Sequence, residues 1–216
     1  MADFAAIVEI AVVLAIILAL AAPFGDYLGR VYTNRPAFGD QLLLPIERRL
    51  YRLLGVSSRD SMGFREYAGA FLLFSALTAI WVFAILSFQT DLFPSPAGFT
   101  PMSWETMVHT TASFLTATDF THFAPQVHMT SWGSLMGLGV AMFLAPAAAL
   151  SVTAAFARGF VRKDGTLGNF YVDMVRSLTR VLLPLSIVGG VVLVLLSVPD
   201  AFPAPLWAGP HASYPV

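Results

Sequence analysis

Cysteine is absent from the 216-residue chain. That removes disulfides, thiol catalysis and cysteine-based metal sites, and leaves the redox compartment unread. Charge is nearly as scarce: Asp, Glu, Lys and Arg make up 12% of residues against 57% hydrophobic, with mean hydropathy +0.73. A soluble domain does not carry that balance, so lipid is the solvent for much of the chain. No P-loop spacing occurs either: Lys163 to Asn169 (KDGTLGN) sets glycines beside basic residues, but it follows an apolar span rather than a strand and reads as a turn. No span carries a nucleophile–base pair, which sets intramembrane enzymology aside. His109, His122 and His128 have no helical i, i+4 pair and no positioned carboxylate, so they do not form a metal-ligand pattern.

Between Arg65 and Arg158 there is no lysine or arginine at all. The basic residues gather instead in 25–66 (Arg30, Arg35, Arg48, Arg49, Arg52, Arg59, Arg65) and in 158–180 (with Arg158, Arg162 and Lys163). The positive-inside rule makes both stretches cytoplasmic and the region between them external. The apolar runs then give four predicted spans, 4–22, 67–88, 129–157 and 181–198, each long enough for a hydrocarbon core of roughly 30 Å. A proline-rich tail, 199–216, follows outside, so both termini are external. The first run is expected to stay as a helix rather than act as a signal peptide, because Asp3 and Glu9 lead it and no basic residue does. Glu9 lies close enough to the helix start to reach interfacial water.

Within the first cytoplasmic stretch, Leu43, Ile46, Leu50, Leu53 and Leu54 recur at helical spacing with Arg48, Arg49 and Arg52 between them. This predicts an amphipathic helix on the inner membrane face, ended by Gly55. Its membrane context and the adjacent Glu47 exclude a nucleic-acid surface. In the third span Gly133 and Gly137 form a G-x-x-x-G, with Gly139 near the same face, which predicts close packing on a neighbour. Pro146 is expected to bend that helix.

The most informative stretch is Ser103 to Phe123 (SWETMVHTTASFLTATDFTHF), too polar for lipid and set between two spans. Ser103 is a predicted N-cap for a short helix from Trp104 to Phe114. Leu115-Thr116-Ala117-Thr118-Asp119 then supplies hydroxyls and a carboxylate, and Ala124-Pro125 can turn the chain. A short helix followed by extended backbone is the shape of a re-entrant pore loop, in which carbonyl and threonine oxygens replace the hydration shell of a monovalent cation. The helix would point its negative end at that ion. A hydroxyl-rich external connection has the same composition, and both readings stay open on these residues. The fold class is therefore an all-α polytopic membrane protein forming one membrane domain over 1–216. Four transmembrane helices are expected, and in the pore-loop reading a re-entrant pore helix and filter-like loop stand between the second and third.

Longer motifs carry a resemblance. Pro23 to Val31 (PFGDYLGRV) and Leu44 to Val56 (LPIERRLYRLLGV) resemble the start of the potassium-binding A subunit of the bacterial Kdp-type potassium-importing P-type ATPase. So do Arg158-Gly159-Phe160, Gly165 to Asp173 (GTLGNFYVD) and Leu183 to Ser186 (LPLS). The resemblance covers essentially the whole chain. It implies a potassium-channel-like architecture of four helix, pore-loop, helix repeats, of which this chain holds one and the first helix of the next, as an incomplete chain would. It further implies potassium as transported ligand, no cofactor, residence in the bacterial inner membrane among its lipids, and partnership with an ATP-hydrolysing subunit and small accessory subunits, the chain itself being no ATPase. On that pattern Ser113, Leu115, Thr116, Ala117, Thr118 and Asp119 are the implied ion-binding residues. The family's usual segment is Ser-Phe-Val-Thr-Asn-Thr-Asn-Trp. Ser113, Phe114, Thr116 and Thr118 match it, whereas Ala117, Asp119 and Phe120 depart. In the third span Ala141 and Met142 replace the usual Gln and Asn. These losses define the rival reading, a non-conducting assembly or regulatory subunit that keeps the scaffold.

Overall fold

The computed structural model describes residues 2–95, 98–161 and 165–196. The expected outer tail 199–216, the end of the fourth span, and Arg162, Lys163 and Asp164 lie outside them. Among the described residues, four helices are long and apolar enough to cross a bilayer: α1 (Ala2–Tyr32), α3 (Phe64–Leu92), α6 (Ser131–Val161) and α7 (Phe170–Leu195). Shorter helices lie between them: α2 (Asp40–Leu54), α4 (Trp104–Leu115) and α5 (Pro125–His128). Among the described residues the strands are only β1 (Met62–Gly63) and β2 (Thr166–Gly168), which pair antiparallel and tie together the two arginine-bearing connections.

Two long helices outrun their apolar stretches. Helix α1 continues beyond Ala22 through Pro23, Gly25 and Gly29, with Arg30 Nε paired to Asp26 one turn back at 2.9 Å. Helix α7 starts at Phe170, so Asp173, Arg176 and Arg180, which the sequence suggests as part of a polar connection, are turns of a helix, and a buried one. The physical reason is that each of these charges meets polar partners inside the protein, so burial does not require an uncharged sequence.

The core has two apolar layers stacked along α3. Near its start, Phe170 is fully buried and meets Tyr67, Phe71 and Phe74 edge-on, at ring distances of 5.5, 6.0 and 5.6 Å, with Ala147, Ala148 and Ala155 beneath. Farther along, Val82, Leu86, Phe114, Leu138 and Ala141 make the second layer, which seats α4. The glycine stripe of α6 packs on α3 as its spacing predicts. A Cβ on Gly133 would lie 2.6 Å from Gln89 Oε1, and one on Gly137 would lie 3.1 Å from Ile85 Cγ2. The turns around that stripe, Ser134–Gly139, are widened to π geometry, and the helix then runs on through Pro146. The apolar flanks of α1 and of α7 beyond Leu183 are exposed, as lipid-facing surfaces are.

Helix α2 ends at Gly55, whose φ of 66° forms the left-handed cap. It docks on α7 through Glu47 and Tyr51: Tyr51 packs with Val172 and Val175, Leu50 of the leucine stripe lies against them, and Ile46, Leu53 and Leu54 of that stripe stay exposed. Glu47 is fully buried and receives Arg180 Nε at 2.5 Å, Arg180 Nη2 at 3.0 Å and the Thr179 hydroxyl at 3.1 Å. Burial pushes the neighbouring Tyr51 hydroxyl up to about 12. Asp40, at the start of α2, also pairs with Arg180. Burial works against its charge, but the Ala37 N–H and the Arg180 guanidinium together hold it below the usual carboxylate range.

Candidate functional site

Helix α4 begins as its sequence predicts, with Ser103 Oγ accepting from the Thr106 N–H at 3.3 Å. Phe114 and Ser113 are buried at its far end, and the chain then leaves the helix at Thr116. From there it folds back over the helix terminus. The N–H groups of Thr116 and Ala117 donate to the Ala112 and Phe114 carbonyls at 3.1 and 3.4 Å, and those of Thr118 and Asp119 both donate to Ser113 O at 3.0 and 3.4 Å. The Phe120 N–H reaches Ser113 Oγ at 2.6 Å. Ser113 is thus the peg of the loop, with both its oxygens already engaged.

The donors of residues 116–120 are therefore spent on the helix end. The carbonyls of Thr116, Ala117, Thr118 and Asp119, in contrast, accept no hydrogen bond among the described residues. Thr116 Oγ1 lies 3.0 Å from Thr118 Oγ1 and also donates toward Ala112 O or Ser113 O. Thr116 to Asp119 are all exposed, and Leu115 is half-buried. Exposed oxygens without donors beside a helix C-terminus form an electronegative patch suited to a cation. Two residues hold the loop in left-handed backbone, Ala117 (φ 53°) and Asp119 (φ 54°). Asparagine and aspartate tolerate that region and alanine does not, so Ala117 is the strained position.

His109 and His122 come together, with ring centroids 4.3 Å apart and Phe120 against both. His128 is engaged elsewhere, its Nδ1 2.7 Å from Thr100 O. Among the described residues no group of three His, Asp or Glu side chains is placed to hold a metal ion. Glu9 is exposed on α1.

Sequence reasoning missed the polar cluster at the other end of α3. Arg158 Nη1 and Nη2 bind the two carboxylate oxygens of the buried Asp173, and Nη1 also reaches Tyr32 O at 3.3 Å. Gly168 makes room for that guanidinium: its φ is +92°, and a Cβ there would lie 2.6 Å from Arg158 Cζ. The Tyr67 hydroxyl is 2.8 Å from Ser151 O and 3.0 Å from Asp173 Oδ2, and Tyr32 bonds Ser177 at 2.7 Å. Asn169 caps α7 by accepting from the Tyr171 and Val172 N–H groups. One signal for the cluster was present: Asp173, Ser177 and Arg180 repeat at i, i+4, i+7, the spacing of one helix face.

The fold and the loop define a polytopic helical membrane protein with an oxygen-rich loop seated on a short internal helix. Residues 11–209 match the family described as the potassium-transporting ATPase A subunit, and the chain belongs to that family. Proteins named potassium-transporting ATPase potassium-binding subunit are similar along most of the chain. The one from Microcystis aeruginosa is 37% identical over 92% of this chain and 34% of its own length. That from Synechocystis is 35% identical over 92% of this chain and 35% of its own length. The Caulobacter protein is 36% identical over 91% and 35%. The chain thus spans about one third of the length of these relatives.

Proposed function

We propose that this chain contributes potassium binding and passage to an ATP-driven import complex, with hydrolysis on a separate P-type subunit and small accessory subunits beside it. Helix α4 acts as a re-entrant pore helix, and 115–119 as one side of a selectivity filter. The observation that carries this reading is the division of labour in the loop: its N–H groups are used up on Ser113 and its neighbours, leaving the Thr116, Ala117, Thr118 and Asp119 carbonyls free. Thr116 and Thr118 add hydroxyl oxygens, Ser113 and Leu115 position the turn, and Asp119 draws cations to the mouth.

One loop supplies about a quarter of a four-sided filter, so the chain alone as a monomer in lipid vesicles should give no potassium-selective flux. In a transporting assembly that contains this loop, Thr116→Val with Thr118→Val should shift the potassium-to-sodium selectivity, since hydroxyl ligands are lost at nearly constant volume. Thr153→Val on α6, whose hydroxyl bonds Ala149 O in its own helix, should leave it unchanged. Unchanged selectivity in the Thr116 and Thr118 variants would favour a non-conducting scaffold instead.

The orientation proposed with this function places both termini outside the bacterial inner membrane. Because the chain has no cysteine, single cysteines report it directly. One at Ser58 should be shielded from an impermeant thiol reagent in intact cells, and one at Ser95 should label. Labelling at Ser58 would reverse the topology.

A further inference from the structure

Two cavities meet at Arg158. One is polar, of about 410 Å³, and is walled by three arginines, Arg59, Arg158 and Arg176, against two aspartates, Asp60 and Asp173. The other is an apolar groove of about 420 Å³ between α1 and α6, lined by Gly25, Leu28, Gly29, Leu150, Ala154 and Ala157. Tyr32 and Arg158 belong to both. Open space faces its α1 wall: a Cβ at Gly25 or Gly29 would meet nothing within 4 Å.

The polar cavity holds guanidinium donors that no carboxylate among the described residues takes up directly. Asp173 is taken by Arg158, and Asp60 accepts from the Ser57 N–H. Arg176 is 6% exposed, and among the described residues it has no carboxylate at ion-pair distance. Its guanidinium donates to the neutral Asn34 Oδ1 and lies within Coulombic reach of Asp173 and Asp40, each of which is already paired with another arginine. Arg158 is 8% exposed, and its Nε, fully buried, has no acceptor. A buried guanidinium that shares its nearest carboxylates with other arginines, and a buried donor without an acceptor among the described residues, suit an anion with several oxygens. A polar head continuous with an apolar groove between two membrane-crossing helices further asks that this anion carry an apolar tail.

We infer that this junction binds an anionic phospholipid, its phosphate against Arg176 and Arg158 and an acyl chain along Gly25 and Gly29 between α1 and α6. The site lies at the opposite end of α3 from the candidate filter loop and does not depend on what that loop binds. Negative headgroup charge would here complete a cluster that joins α1, α3, α6 and α7, so the lipid would act as part of the packing.

Native mass spectrometry of the purified chain in detergent, with added phosphatidylglycerol or phosphatidylcholine of identical acyl chains, tests the site. Wild type should retain phosphatidylglycerol at least about fivefold better, a modest gain for a charge-assisted contact. Arg176→Gln should bring retention down to the phosphatidylcholine level. Gly29→Leu, which fills open space in the groove, should reduce retention of phosphatidylglycerol with no change in the melting temperature of lipid-free protein. Equal retention of the two lipids by wild type would overturn the inference, and is the outcome for a pocket that awaits an acidic side chain from another subunit. Displacement of phosphatidylglycerol by millimolar inorganic phosphate, with Gly29→Leu retaining lipid like wild type, would also overturn it and identify a free-phosphate pocket.

Discussion

Replacing Arg180 with methionine should destabilise the protein by about 3–5 kcal/mol, the usual consequence of stranding one member of a buried ion pair. The stranded partner is Glu47, which has no exposed surface and would keep only the hydroxyls of Thr179 and Tyr51. Asp40 would lose its ion pair as well, but its side chain is 27% exposed and water can replace the contact. The companion change Glu47→Leu in the same chain should restore most of the loss, because a buried pair contributes little beyond an apolar pair of similar volume. Unfolding of both single variants and the double variant in detergent micelles gives the coupling energy directly. A loss below about 1 kcal/mol for Arg180→Met would mean that water reaches Glu47 in the folded variant, and that α2 is held by the packing around Tyr51.

This pair also marks where sequence reading stops. Hydropathy and the arginine distribution locate all four long helices, because those signals report transfer from water to lipid and need no knowledge of neighbours. The Ser103 cap and the α4 helix were legible for the same reason, being local chemistry, and the Gly133 and Gly137 stripe correctly announced a close helix contact. The partners of charged residues were not legible. Glu47 and Arg180 stand 133 positions apart, and Arg158 and Asp173 are joined across a turn that the hydropathy profile assigns to water. A charge that is paired inside and a charge that is solvated look alike in sequence, so residues 170–180 read as a connection although they are the buried start of α7. The candidate loop falls between these cases. Its composition suggested oxygen ligands, but only the backbone reveals that Ser113 anchors the loop and that Ala117 occupies a left-handed conformation.

The other large effect is expected at Asp173. Its side chain is 1% exposed and gathers Arg158 from α6 and Tyr67 from α3 onto α7. Alanine there removes the counter-charge of Arg158, whose remaining partner in the cluster is Tyr32 O, and should cost about 3–5 kcal/mol. Tyr67→Phe is the milder probe of the same cluster. It removes one hydroxyl that lies between Ser151 O and Asp173 Oδ2, and should cost about 1–2 kcal/mol. Since Tyr67 and Asp173 share a bond, the double variant should lose less than the two single losses added. Arg158→Lys should not spare the cluster, because an ammonium cannot span both carboxylate oxygens and Tyr32 O at once. These losses can be read as shifts in the unfolding midpoint of the detergent-solubilised protein. If Asp173→Ala is no worse than Tyr67→Phe, Arg158 has found another anion in the folded variant, and the added phospholipid that fills the neighbouring cavity is the first to test by repeating the measurement with phosphatidylglycerol present and absent.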